Sequence, residues 1–232
     1  MTIEVLDIAA VIWFFSCWVG FVIYANRSSA RDRSLSAHMG RFRVEWMRVM
    51  MTRENRILDS SIVGNILTGI AFFASTSILA VGGLFALLGA TDRAFAVVQE
   101  LPFFAHTSQP LWQMKVLLLI GIFVFAFFKL AWSFRLYYNS SVLIGAVPIP
   151  PVDEKTASAG AERIARLLSL AAGHSNGGLR AYFFALAALG WFLHPLVFIL
   201  ASALVVVVLY RREFRSRTIK ILRDGSPGSN PS

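Results

Sequence analysis

The chain has 232 residues, of which 56% are apolar and only 15% charged, and its 22 Lys and Arg against 13 Asp and Glu leave a net charge of +9. Soluble domains carry about 25% charged residues, so an ordinary soluble domain is excluded. No aromatic-basic platform or known module accompanies the positive charge, which argues against nucleic acid as its partner.

Four apolar runs, at about residues 5–24, 62–90, 116–134 and 181–210, each reach the roughly 20 residues that a helix needs to cross about 30 Å of hydrocarbon. The expected fold is therefore an all-α integral membrane protein forming a single membrane domain. The first run opens with Glu4 and Asp7 and has no basic region before it. It reads as a retained transmembrane helix, not a removable signal. Its one cysteine, Cys17, is the only one in the chain and excludes an internal disulfide. Eight arginines follow between residues 25 and 61. An acidic start and a basic loop place the N-terminus outside and the loop in the cytoplasm, where anionic lipid headgroups attract such charge.

Residues 38–58 read as an amphipathic helix, with Met39, Phe42, Trp46, Val49, Met50 and Ile57 on one face and Arg41, Glu45, Arg48 and Arg56 opposite. That pattern suits either the membrane–water interface or packing against other helices. Asp59-Ser60-Ser61 supplies acceptors for the free amides of the next helix start. The second run is rich in small residues, with Gly82, Ala86 and Ala90 on one face. Small residues allow close backbone approach, so this run is expected to be the central packing element.

The segment 91–113 holds Pro102 and Pro110 among several phenylalanines and is expected on the outer surface; Asp92, Glu100 and His106 fall in it. The third helix starts at Pro110, a favoured first helical position, and continues to the Gly145-to-Pro151 stretch. A second amphipathic helix, 155–172, carries Ile164, Leu167, Leu168 and Ala171 on one side, and Gly173–Gly178 is expected to break it.

The fourth run poses a conflict with the charge rule. A single crossing leaves thirteen Lys and Arg inside and eight outside, because the basic tail 211–232 ends up outside. A hairpin at His194-Pro195 gives nineteen inside and two outside. Proline lacks the amide that would bond back along the helix, so a break there is natural. Arms of about 13–15 residues, however, reach only about 20 Å. The charge count favours the hairpin, and the arm length favours a kinked single span.

Four polar residues stand out against these runs: Lys129, His194, Asp59 and Asn65. Lys129 follows thirteen uncharged residues. An intramembrane ionisable group marks an ion path or an internal pair, and Asp59 is the expected partner; the competing reading is a stem that snorkels beside Arg135. His194 suits hydrogen bonding at the Pro195 break better than proton transfer or ligation. Asn65 reads as a buried amide bonded to a neighbouring helix. No HxxxH, CxxC or ExxH spacing, Gly-rich phosphate loop or paired intramembrane carboxylates occur, so no catalytic residue, metal site or cofactor is expected.

The order of several segments adds a resemblance. Trp46-Met47, Arg56-Ile57-Leu58-Asp59-Ser60, Phe72-Phe73-Ala74-Ser75-Thr76, Phe128 to Arg135, Gly145-Ala146-Val147-Pro148 and Leu209 to Ser216 together resemble domain-of-unknown-function family 599, a group of multi-pass bacterial membrane proteins. The resemblance implies a membrane setting, here a bacterial inner membrane, and carries no functional residue. The leading expectation is a non-enzymatic membrane component that assembles with itself or with other membrane proteins. The alternative is a small carrier or channel with Lys129 and His194 in its route, and a lipid-acting enzyme comes third.

Overall fold

A computed structural model describes residues 5–27, 33–92, 95–96, 108–151 and 153–224. Among these residues the regular elements are helices: α1 (Val5–Asn26), α2 (Leu35–Met51), α3 (Ile57–Gly89), α4 (Gln109–Gly145), α5 (Glu154–Leu193), α6 (Pro195–Phe214) and α7 (Arg217–Asp224). Helices α1, α3 and α4 and the stretch Pro195–Leu222 are each long and apolar enough to cross a membrane. The expectations for Glu100, His106 and most of the segment before α4 fall outside the described residues. By packing, the chain forms two units. One comprises Met1–Asn26, Ser75–Phe128 and Gly178–Tyr210, the other Arg27–Ala74, Lys129–Gly177 and Arg211–Ser232.

The first unit resolves the conflict over the fourth run. Phe14 of α1 lies with its ring centroid 5.6 Å from Phe184 and 5.0 Å from Phe198, so those two rings are no more than about 11 Å apart. On one straight helix, fourteen residues would separate them by about 21 Å. The chain therefore doubles back at His194-Pro195. The arms run between the two ends of α1: Arg180 sits over Phe21 and Tyr210 meets Tyr24, whereas Trp191 bonds Asp7.

The turn is built from local chemistry. Pro195 is the first residue of α6, where its missing amide costs nothing, and His194 caps that helix by accepting the Leu196 amide on Nδ1 at 3.1 Å. Gly190 lets the returning strand of helix come close, for a Cβ there would lie 3.3 Å from the Val197 carbonyl carbon. Trp191 then stacks on Phe198 at 5.3 Å.

The expected shortness of the arms disappears because α5 is continuous from Glu154 to Leu193. Gly173–Gly178 does not break it. Each glycine costs about 1 kcal/mol relative to alanine in a helix, and burial of Ala171, Ala172 and Ala181 on the same helix offsets that cost.

The remaining helices of this unit follow the same alternation. Val81, Leu84 and Leu88 of α3 pack on Trp112, Val116 and Ile120 of α4, and Ser77 and Phe123 both reach Tyr182 of α5. The second run is nevertheless not the central packing element expected of it. Only 11% of its most apolar window is buried, against 39% for α4. Gly64, Gly69, Gly82, Gly83 and Gly89 would place a Cβ within 4 Å of nothing.

In the second unit, α2 is shorter than the expected 38–58 helix. Ser34 caps it by accepting the Ala37 amide, and Thr52 ends it. Its buried face is rotated from the expected one: Met47, Met50 and Met51 are buried, while Met39 and Val49 are exposed. The apolar face packs within the protein. Ile164, Ala165, Leu168 and Ala171 of α5 are buried in the same way. Asp153 precedes α5 and accepts the Thr156 amide at 2.8 Å, a bond that holds its carboxyl below the ordinary range. Helix α7 packs against α2.

The turn at residue 194 predicts a local sensitivity. Gly190→Leu should destabilise the protein by roughly 1–3 kcal/mol through overpacking, read as a lowered unfolding temperature in detergent. The same substitution at Gly82, where a Cβ meets nothing within 4 Å, should leave that temperature unchanged.

Candidate functional site

The polar residues of this chain gather in two buried sets, one in each unit. In the second unit, α3 begins at Ile57, two residues before the expected cap. Asn55 Oδ1 takes the Ile57 amide at 2.9 Å, which leaves Asp59 inside the first turn and fully buried. Its Oδ1 accepts Trp46 Nε1 at 2.7 Å and Arg53 Nη1 at 2.8 Å. Arg53 is 35% exposed, so it connects a buried carboxylate to solvent. Arg56, at the start of the same helix, donates through Nη1 to Val147 O and through Nη2 to Pro148 O, both at 2.7 Å. The arginine thereby fastens the turn between α4 and α5 to the entry of α3. Two further atoms of this set, Arg56 Nε and Asp59 Oδ2, are buried without a hydrogen-bond partner.

Lys129, the expected partner of Asp59, lies elsewhere in this unit. Its stem runs along Gly177, whose Cβ would lie 3.7 Å from Lys129 Cδ. Burial lowers the pKa of His174, and the Lys129 cation lowers it further. His174 also meets the Trp132 ring. Arg43, on the buried side of α2, has its guanidinium pushed below its ordinary value by burial, with Tyr137 as the nearest compensating group. Near the start of α2, Ser36 gives its hydroxyl to Glu213 Oε1 at 2.8 Å and takes a bond from Asn176 at 3.4 Å.

In the first unit, Asp7, Lys115 and Trp191 are 3%, 2% and 3% exposed. Trp191 Nε1 donates to Asp7 Oδ1 at 2.6 Å, and Lys115 Nζ lies 5.5 Å from the centre of the Trp191 ring. The indole is thus held by a carboxylate at its edge and a cation on its face, and the pair of opposite charges shares one buried site. Sequence reading missed this set. Its signal was an aspartate in the first turn of one apolar run and a lysine immediately before another.

Of the four sequence-predicted residues, Asp59 is the buried centre of a polar set and His194 is the cap of the hairpin turn. Lys129 packs beside His174. Asn65 is exposed, contrary to the expected buried amide, because α3 turns that face away from its own neighbours. None of the four is brought together with another in a catalytic arrangement.

These helices define a multi-pass α-helical membrane protein. The chain belongs to the family described as "Protein of unknown function, DUF599", whose sequence profile matches residues 9–218. Nothing among curated proteins or solved structures matches it. Three of the segments that carry the family resemblance, at Trp46, Arg56–Ser60 and Gly145–Pro148, meet in the Asp59 set through the bonds given above.

The difference in exposure between Asp59 and Arg53 predicts an asymmetry. Arg53→Met strands a buried carboxylate and should cost about 3 kcal/mol. Asp59→Asn keeps an acceptor for Trp46 and leaves Arg53 free to turn to water, so it should cost about 1 kcal/mol. Thermal unfolding of the two variants in one detergent measures the order; equal losses would contradict it.

Proposed function

We propose that this chain is a non-enzymatic component of a bacterial inner membrane that assembles with itself or with other membrane proteins. The observation that carries the reading is the uncovered small-residue face of α3. This is the least buried of the candidate spans, at 11% of its apolar window, and its glycines have open space where a Cβ would stand. Lipid offers no hydrophobic drive for helix association, so close backbone approach at small residues is what brings membrane helices together.

The charge distribution supports an orientation for this assembly. All but three of the 22 Lys and Arg, namely Arg93, Lys115 and Arg180, fall in the segments 27–74, 129–177 and 211–232. Arg180 and Tyr210 lie beside Phe21 and Tyr24, at the end of α1 where the first basic segment begins. The positive-inside rule makes that end cytoplasmic and puts the N-terminus outside. The carrier or channel reading loses support from its two candidate residues, since His194 caps a helix and Lys129 packs beside Gly177 and His174.

The test uses the open space at Gly82. Gly82→Leu should leave the thermal unfolding of the protein unchanged while lowering the fraction of assembled protein at least tenfold, read as the mass of the particle extracted in a mild detergent. A wild-type protein that extracts as a lone monomer would overturn the reading, as would a G82L variant of unchanged mass. A phosphatase fused after the tail should be inactive and a cytoplasmic fluorescent reporter at the same place bright; the reverse pattern would overturn the orientation.

A further inference from the structure

The second unit holds a row of three cavities whose chemistry changes from one end to the other. His38, Arg41, Glu45 and Arg48 recur at three- and four-residue spacing and so share one face of α2. Between this face and Leu222 of α7 lies a groove of about 380 Å³. Arg48 also lines the next cavity, of about 700 Å³, together with Thr52, Glu154 and Ser158. Met51 and Ala157 line that cavity as well, and they form one wall of a third, of about 220 Å³, whose other walls include Leu143, Ala146, Val147 and Ile164. Two guanidinium groups stand at one end; at the other is a pocket with mainly apolar walls, which Thr156 and Arg163 also line.

We infer that this row is the binding site of one anionic phospholipid. Its phosphate lies at Arg41 and Arg48, and one acyl chain passes over Met51 and Ala157 into the pocket at Leu143 and Ile164. Guanidinium groups bind phosphate oxygens through paired, charge-assisted hydrogen bonds. Arg48 is held internally only by a long contact with Glu45, 3.9 Å between nitrogen and oxygen, which a phosphate displaces readily. His38 donates Nδ1–H to Ser34 O at 2.9 Å, which leaves Nε2 as an acceptor for a headgroup hydroxyl. Glu45 and Glu154 are the carboxylates on the walls, and they limit the site to a single phosphate. The mainly apolar walls of the third cavity suit an acyl chain, with Thr156 and Arg163 as its polar members. Gly160 keeps the passage narrow but open: a Cβ there would lie 2.9 Å from Met51 Cε, so the flexible methionine is already the closest wall. The site requires a membrane protein and does not require the assembly through α3.

The experiment is native mass spectrometry of the full chain in a mild detergent, titrated with phosphatidylglycerol, with phosphatidylcholine of the same acyl chains, and with inorganic phosphate. The inference predicts one retained phosphatidylglycerol, bound roughly tenfold more tightly than phosphatidylcholine. Arg41→Gln with Arg48→Gln should abolish that preference. Ala157→Phe, which plugs the junction of the second and third cavities, should weaken both lipids alike. Circular dichroism melts show that each variant remains folded, and the same spectra report the oligomer, so loss of lipid and loss of assembly are read separately. Retention of phosphatidylglycerol by the double arginine variant at the wild-type level would overturn the site. Unchanged binding by A157F would overturn the acyl-chain path, and displacement of the lipid by millimolar inorganic phosphate would assign the site to a free anion instead.

Discussion

Proline at position 195 has no amide to give to residue 191, and the organisation of the membrane-crossing helices depends on what the chain does there. It reverses. The His194 ring replaces one missing helical partner by capping α6, Gly190 permits the close return of Val197, and Trp191 stacks on Phe198 while its edge bonds Asp7. Backbone groups at membrane depth must be satisfied within the protein, and the amides of His194, Leu196 and Phe198 bond to Gly190 O, His194 Nδ1 and His194 O. The reversal brings Phe14, Phe184 and Phe198 into one aromatic cluster. It also returns the chain at Tyr210 to Tyr24, near the end of α1 where the basic segment 27–74 begins.

The second unit solves a different problem. Its cations outnumber its carboxylates, and two of those carboxylates tie separate elements together. Asp59 takes bonds from Trp46 and Arg53, and Glu213 takes both the hydroxyl and the amide of Ser36 at the start of α2. Arg56 needs no carboxylate because two backbone carbonyls at the α4–α5 turn receive its guanidinium. A fully buried aspartate with one solvent-reaching partner is costly to build and costly to unpair. It specifies how α2 meets α3, which a run of apolar contacts alone would leave adjustable. Arg41 and Arg48 line the cavities along α2.

Run length and composition made the helical membrane class readable, and the basic segments pointed to a hairpin before any coordinates did. Arm length argued the other way only because Gly173–Gly178 read as a break. Glycine propensity is a weak, local signal, and the alanine-rich faces on either side of those residues outweigh it. Small residues in α3 were legible as a packing face, but composition does not say whether that face is covered within the chain; a Cβ at Gly64, Gly69, Gly82, Gly83 or Gly89 would meet nothing within 4 Å. The Asp7–Trp191 bond joins residues 184 positions apart, and the Arg56 bonds span more than ninety. No periodicity encodes such pairings. Asp59 was singled out at a helix start as a cap and as the partner of Lys129, yet its bonds come from Trp46 of α2 and from Arg53 in a non-helical turn that the expected 38–58 helix had hidden.

The reversal at His194-Pro195 is most directly tested by a distance. Spin labels at positions 180 and 210, read by pulsed electron resonance in lipid, should lie under about 25 Å apart, since packed helices sit about 8–10 Å from axis to axis. A single kinked span would hold them near 45 Å, thirty residues at about 1.5 Å each. A short distance supports the hairpin and the return of the basic tail to the side of residue 180; a long one contradicts both.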